Sequence, residues 1–182
     1  MEKFLPDVKR SIIRDFRADC VNLVAERIES KGISGTWTTI KGEVDDPLER
    51  RYGFKIVQPQ TEEFGYGALF KVGQGKAGSN RRWYVGVRWN TRELKDKGGH
   101  LQVAQELPRR MSKASCEQNS NSSRWLGLRT VIDVVEPKDF YLDYVQGLQE
   151  FTGEIVDDIW SFFRDWQEDV GQVNAKLTEA IT

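Results

Sequence analysis

The residue types that most often carry chemistry are sparse in this chain, and their spacing is unhelpful to catalysis. The one histidine, His100, follows Gly98-Gly99 in a polar turn, and the two cysteines, Cys20 and Cys116, lie far apart. Zinc sites need Cys and His ligands at short, regular intervals, and no such interval exists here. Ser–His or Cys–His nucleophilic catalysis would have to use His100, which has no orienting neighbour in sequence. The sequence therefore calls for no metal, no cofactor and no catalytic residue. Glu43, Asp45, Asp46 and Glu49 crowd one stretch before Arg50-Arg51. Paired carboxylates in a cleft can hold Mg²⁺ or divide acid and base roles, whereas Asp-Asp-Pro is also an ordinary solvated turn. A metal-dependent nuclease-like centre on Glu43, Asp45 and Asp46 is the outside alternative. Gly73-Gln74-Gly75-Lys76-Ala77-Gly78-Ser79 has the glycines of a phosphate loop but not the G-x-x-x-x-G-K-[ST] order, and it leads toward a strand. It reads as a hairpin tip within a loop spanning Gly73–Arg82.

What remains is charge. The formal net charge is −1, yet residues 71–130 carry 13 Lys+Arg against 4 Asp+Glu, and residues 131–182 carry 3 against 12. Fields act locally and are screened beyond about 8–10 Å, so this segregation matters more than the total. In the basic part, Lys71, Lys76, Arg81, Arg82, Arg88, Arg92, Lys95 and Lys97 stand among Trp83, Tyr84 and Trp89. Cations neutralise phosphates and exposed aromatic rings stack on unpaired bases. The candidate nucleic-acid-binding residues are accordingly Lys71, Lys76, Arg81, Arg82, Tyr84, Arg88 and Arg92. Trp83 and Trp89 share strand parity with Val85 and Val87 and belong to the core, which leaves Tyr84 as the stacking surface. The other readings of the basic face are that it lies against the acidic C-terminal helix, of the same molecule or of a second copy, or that it meets an acidic protein partner.

These groups need elements to hold them. Leu5, Val8, Ile12, Phe16, Cys20, Leu23/Val24 and Ile28 recur at helical steps, with Pro6 in the first turn and Gly32 as the stop. Thr36–Val44, Tyr52–Val57, Tyr66–Val72, Trp83–Trp89 and Trp125–Val135 read as strands. A short helical stretch, Leu101–Leu107, is interrupted by Pro108, and Ser112–Ser123 reads as an exposed loop. From Tyr141 to Leu177 apolar residues recur at helical spacing opposite an acidic face. One long bent helix, or two meeting near Gly171, would satisfy that pattern. Its stripe is wide for one small sheet to cover, so Ile155, Ile159, Phe162, Phe163 and Trp166 are the candidate partner interface, for a protein partner or for self-association.

The patterns Gly53-Phe54-Lys55-Ile56, Trp83-Tyr84-Val85-Gly86-Val87-Arg88 and Arg124-Trp125-Leu126-Gly127-Leu128 occur in an order that resembles the segment after the catalytic core in some PD-(D/E)XK nuclease-like proteins of bacteria and phages. The similarity covers roughly residues 35–165. That family's motif places an acid two positions before a strand lysine. Here Thr39 precedes Lys41, Gly53 precedes Lys55 and Leu69 precedes Lys71, so the resemblance implies a portion without the nuclease centre and no catalytic residue is carried over.

The 182 residues suit one well-buried core. The expected fold is α+β: an antiparallel sheet of about five strands with an N-terminal helix and a long amphipathic C-terminal helix. It forms a single domain over 1–182, with a helix at 1–32, a sheet region at 35–135 containing the exposed loop 112–123, and a helical region at 137–182. No apolar run is long enough to cross a bilayer, and the N-terminal residues lack a secretory pattern, so a cytoplasmic setting is expected. The expected function is a non-enzymatic macromolecular interaction protein. Through the resemblance, this would be a phage- or defence-associated adaptor or inhibitor of a protein partner. The alternative is a DNA- or RNA-binding protein using the basic aromatic hairpin 71–97.

Overall fold

The computed structural model describes residues 4–42, 52–77, 80–114, 116–117, 124–132, 142 and 144–182. Glu43, Asp45, Asp46 and Glu49, most of the loop 112–123 and residues 133–135 lie outside the described residues. The first element, helix α1 (Phe4–Ser30), ends as its sequence requires. Gly32 takes φ +68°, its N–H donates to Glu29 O, and the Ile33 N–H donates to Ile28 O. This is the Schellman arrangement, which satisfies carbonyls that the last turn would otherwise leave bare. The buried stripe runs Ile13, Phe16, Cys20, Val24 and Ile28, whereas Val8 is exposed and Ile12 only half-buried. The expected stripe is thus one residue out of phase at its N-terminal end.

Five strands follow: β1 (Thr38–Lys41), β2 (Gly53–Val57), β3 (Ala68–Ala77), β4 (Asn80–Trp89) and β5 (Trp125–Ile132). They pair antiparallel in chain order, a simple meander. Strands β3 and β4 are longer than the apolar pattern suggests. Gly73–Ala77 pair with Asn80–Tyr84 in register, so most of the glycine-rich stretch is strand and not loop. Backbone pairing set by the flanking apolar residues outweighs the weak strand preference of glycine. Among the described residues, two helices lie between β4 and β5. Helix α2 (Arg92–Gly98) was not signalled by periodicity, and α3 (Gln102–Lys113) runs through Pro108 instead of stopping there. Thr91 caps α2 by accepting the Leu94 N–H at 3.1 Å.

Helix α4 (Leu148–Ile181) is continuous over 34 residues, past both Gly153 and Gly171. Ile155, Val156, Ile159, Phe162, Phe163, Trp166, Val170, Val173 and Leu177 are all buried. They meet the sheet face formed by Phe54, Phe70, Val72, Trp83, Val85, Val87 and Trp89, with α1 alongside. The Phe163 ring packs edge-on against Trp37 (centroids 5.2 Å apart) and Phe70 (5.0 Å), and Phe16 meets Trp83 at 5.0 Å. Each such side chain removed from water contributes about 1.5–3 kcal/mol. The expected partner interface is corrected here: Ile155, Ile159, Phe162, Phe163 and Trp166 face the chain's own core. The five-strand sheet, helped by α1, α2 and α3, covers this part of the stripe, while Val145 before the helix is exposed. Among the described residues no helix is long and apolar enough to cross a membrane.

One polar group fixes the position of α4. Asn174, buried at 1% exposure, accepts the Ala68 N–H (2.8 Å) and donates to Ala68 O (2.9 Å) and to the Gln58 side chain (2.8 Å). Its carboxamide thus pairs with the first residue of β3 as a strand neighbour would. Gly67, at φ +54°, makes room for it, since a Cβ there would lie 2.3 Å from Asn174 Oδ1. Replacing Asn174 with Ala leaves a buried N–H and a buried carbonyl unsatisfied, and should cost about 2–3 kcal/mol in urea unfolding. Ile159→Asp places a charge in the core and should abolish cooperative unfolding at 25 °C. A folded Ile159→Asp protein with a changed mass in solution would instead return that face to the role of interface.

Candidate nucleic-acid interface

The β4 sequence alternates strictly. Trp83, Val85, Val87 and Trp89 point to the helices, so Tyr84, Gly86 and Arg88 lie on the opposite face of the sheet. Register then decides their company. Lys55 on β2 stands opposite Lys71 on β3, and Lys71 stands opposite Gly86 on β4, which pairs with Leu128 on β5. The row thus brings two lysines side by side on neighbouring strands, with Arg88 diagonal to Lys71.

This face is not an open surface. Lys71 is 2% exposed, Lys55 and Arg88 are 7% exposed, and Tyr84 is 8% exposed. Trp125 lies across Gly86: a Cβ at residue 86 would fall 2.8 Å from the indole Cζ3 and 2.6 Å from Leu128 Cβ. The Tyr84 ring meets Trp125 edge-on at 5.3 Å, and the Arg88 guanidinium stands 5.4 Å from the same ring centroid. Arg88 Nε donates to Trp89 O at 3.2 Å, and Lys55 Nζ donates to Asn90 Oδ1 at 3.1 Å. Asn90 in turn donates to Gly65 O, and its own carbonyl accepts from Arg124. Lys55, Lys71, Tyr84 and Arg88 take part in further interactions besides these. Three candidates are therefore corrected: Lys71, Tyr84 and Arg88 are buried side chains and offer nothing to solvent. Alternation predicts which face a strand residue occupies, but the folding of Trp125 over Gly86 depends on β5, distant in sequence.

The remaining candidates separate. Arg82 donates to both Glu117 carboxylate oxygens (3.2 and 3.0 Å) and to the Thr130 hydroxyl (3.1 Å). Glu117 also pairs by its backbone with Leu128, so Arg82 fastens that segment to the edge of β5. Cys116, expected in an exposed loop, is buried beside it, and burial pushes its thiol pKa upward; burial does the same to Cys20. Lys76 and Arg81 are directly opposite in the β3–β4 register, and their side chains lie outside the described residues. Arg92 is exposed in the first turn of α2, followed one turn later by the half-buried Lys95. Lys97 is occupied with Glu93 at 2.7 Å, and its ammonium holds the Glu93 carboxyl below the usual range. His100 is exposed in its turn.

The acidic helix draws its partners elsewhere. Asp157 pairs with Arg27 of α1, Asp169 pairs with Arg110 of α3, and the Asp158 carbonyl accepts from Arg129 at 2.6 Å. Among the described residues no ion pair joins α4 to a cation of residues 71–97. Two cations outside the sequence candidates complete the picture. Arg109 and Lys113 are exposed on α3, one helical turn apart, with no carboxylate within ion-pair distance among the described residues. Their contribution to the charge of residues 71–130 was visible in the sequence, but periodicity ended the helix at Pro108 and hid their shared face.

Among the described residues no group of three or more His, Cys, Asp or Glu side chains could hold a metal ion. No protein-family model, no curated protein and no solved structure matches the chain.

Gly86 is the position on which the Tyr84–Trp125–Arg88 assembly depends. Gly86→Val forces the indole off the sheet and overlaps the Gly127 carbonyl, which lies 2.8 Å from an ideal Cβ. The variant should lose about 1–3 kcal/mol of stability in urea unfolding. The Trp125 indole N–H resonance should shift while those of the other five tryptophans stay in place.

Proposed function

We propose that this chain is an interaction protein for a polyanion, nucleic acid, which it meets through the exposed cations of its central segment. The observation that carries the reading is the pairing pattern of the acidic helix. Its described ion pairs with other elements go to Arg27 and Arg110, while Arg92, Lys95, Arg109 and Lys113 have no carboxylate partner among the described residues. Self-neutralisation thus leaves these four cations, three exposed and Lys95 half-buried, without an acid partner among the described residues. Arg92 adds weight because helix stability does not explain it. A positive charge in the first turn opposes the helix dipole, by a few tenths of a kcal/mol. The burial of the α4 apolar stripe also supports the reading, since it removes the surface on which a protein partner was expected.

Phosphate neutralisation releases counterions, so the logarithm of affinity should fall linearly with the logarithm of salt concentration. Four contacts from these side chains give an expected slope of about −3 to −4. The double variants Arg92→Glu/Lys95→Glu and Arg109→Glu/Lys113→Glu should each lower the slope by about 2 in magnitude. Because none of the four holds another element, thermal unfolding should be unchanged. Fluorescence anisotropy with labelled oligonucleotides measures both quantities. Affinity insensitive to salt, or no binding at low salt, would overturn the proposal.

A further inference from the structure

Resting on the nucleic-acid reading above, we infer that the ligand is double-stranded and is held by its phosphates, without stacking of unpaired bases. Proteins that grip single strands combine a cationic groove with aromatic rings on which successive bases lie, each worth about 1–3 kcal/mol. The cationic segment 71–130 contains four Trp and Tyr residues: Trp83, Tyr84, Trp89 and Trp125. Trp83 (3% exposed) and Trp89 (1% exposed) lie in the core under α1 and α4. Tyr84 is buried with its ring edge-on to Trp125. Trp125, half-buried, has Gly86 beneath its ring and the Arg88 guanidinium near it. Trp83, Tyr84 and Trp89 offer no face to a base, and Trp125 is a lone half-buried ring that cannot by itself hold successive bases. The exposed ring of the segment is the His100 imidazole, and one imidazole in a turn makes no track for successive bases.

The cations are arranged for a backbone instead. Arg92 and Lys95 are three residues apart on α2, and Arg109 and Lys113 are four apart on α3, so each pair shares one side of its helix. The two stripes sit on consecutive helices joined by only three residues, 99–101. With point charges and no stacking surface, affinity follows the charge density of the ligand. A duplex presents a phosphate every ~1.7 Å of axis, about twice the density of one strand. Arg92 and Arg109 could pair bidentately with guanine edges, whereas contacts to phosphate carry no sequence information, so a scrambled sequence tells the two modes apart.

The test uses the full chain and fluorescein-labelled DNA and RNA of about twenty nucleotides, each as a duplex and as its two separate strands. At one low salt concentration, a duplex should bind about tenfold or more tightly than either of its strands, and scrambling the sequence should leave the affinity within about twofold. The tighter of the DNA and RNA duplexes identifies the helical form recognised. Titration with an unlabelled thymidine oligonucleotide should leave tryptophan fluorescence unquenched. Single strands that bind as tightly as duplexes, or that quench tryptophan, overturn this inference while the salt-dependent binding proposed above stands. Absence of binding to all of them overturns both.

Discussion

The structure depends on one contact above all, the burial of the α4 apolar stripe against the helix-side face of a five-strand meander. Phe162, Phe163 and Trp166 fill the middle of that contact, and the ring edges of Trp37 and Phe70 close around Phe163. Apolar burial is non-directional and would tolerate sliding of a smooth helix along the sheet. The Asn174 carboxamide removes that freedom, because its bonds to both backbone groups of Ala68 are made in only one axial position. Packing supplies the stabilisation and the buried amide supplies the register, a division that also explains why Gly67 must leave space for the side chain.

From that contact the distribution of charge follows. Once the apolar stripe is committed to the sheet, the acidic face of α4 must point outward, where it recruits Arg27 and Arg110 from the flanking helices. Exposed pairs of this kind contribute little individually, typically below about 1 kcal/mol. None of these pairs reaches Arg92, Lys95, Arg109 or Lys113, which have no carboxylate partner among the described residues. The second face of the sheet takes another route. It buries Lys55, Lys71 and Arg88 in a layer with Tyr84 and Trp125, where Asn90, the Trp89 carbonyl and the indole ring serve as partners. Cations adjacent in sequence therefore have two fates, some as internal structure and some as surface.

The α+β class, the order helix–strands–helix, both terminal helices and the inward side of β4 could be read from the chain itself. Apolar spacing is a local property: steps of three and four mark one side of a helix and steps of two mark one side of a strand. The Gly32 stop and the helix-facing parity of Trp83, Val85, Val87 and Trp89 were legible for that reason. So was the gathering of positive charge in residues 71–130, which needs only counting. Three things required the tertiary structure. Whether the α4 stripe was an interface depended on the area that a sheet assembled from distant strands could cover. Whether Lys71, Tyr84 and Arg88 were surface groups depended on β5, which brings Trp125 over Gly86 from some forty residues away. The choice between continuing and stopping at Pro108 depended on Met111, whose side chain packs against Gly127 and holds the last turn of α3 on the sheet. Periodicity tells each residue which way to face; what stands opposite is decided by contacts between parts of the chain that the sequence keeps far apart.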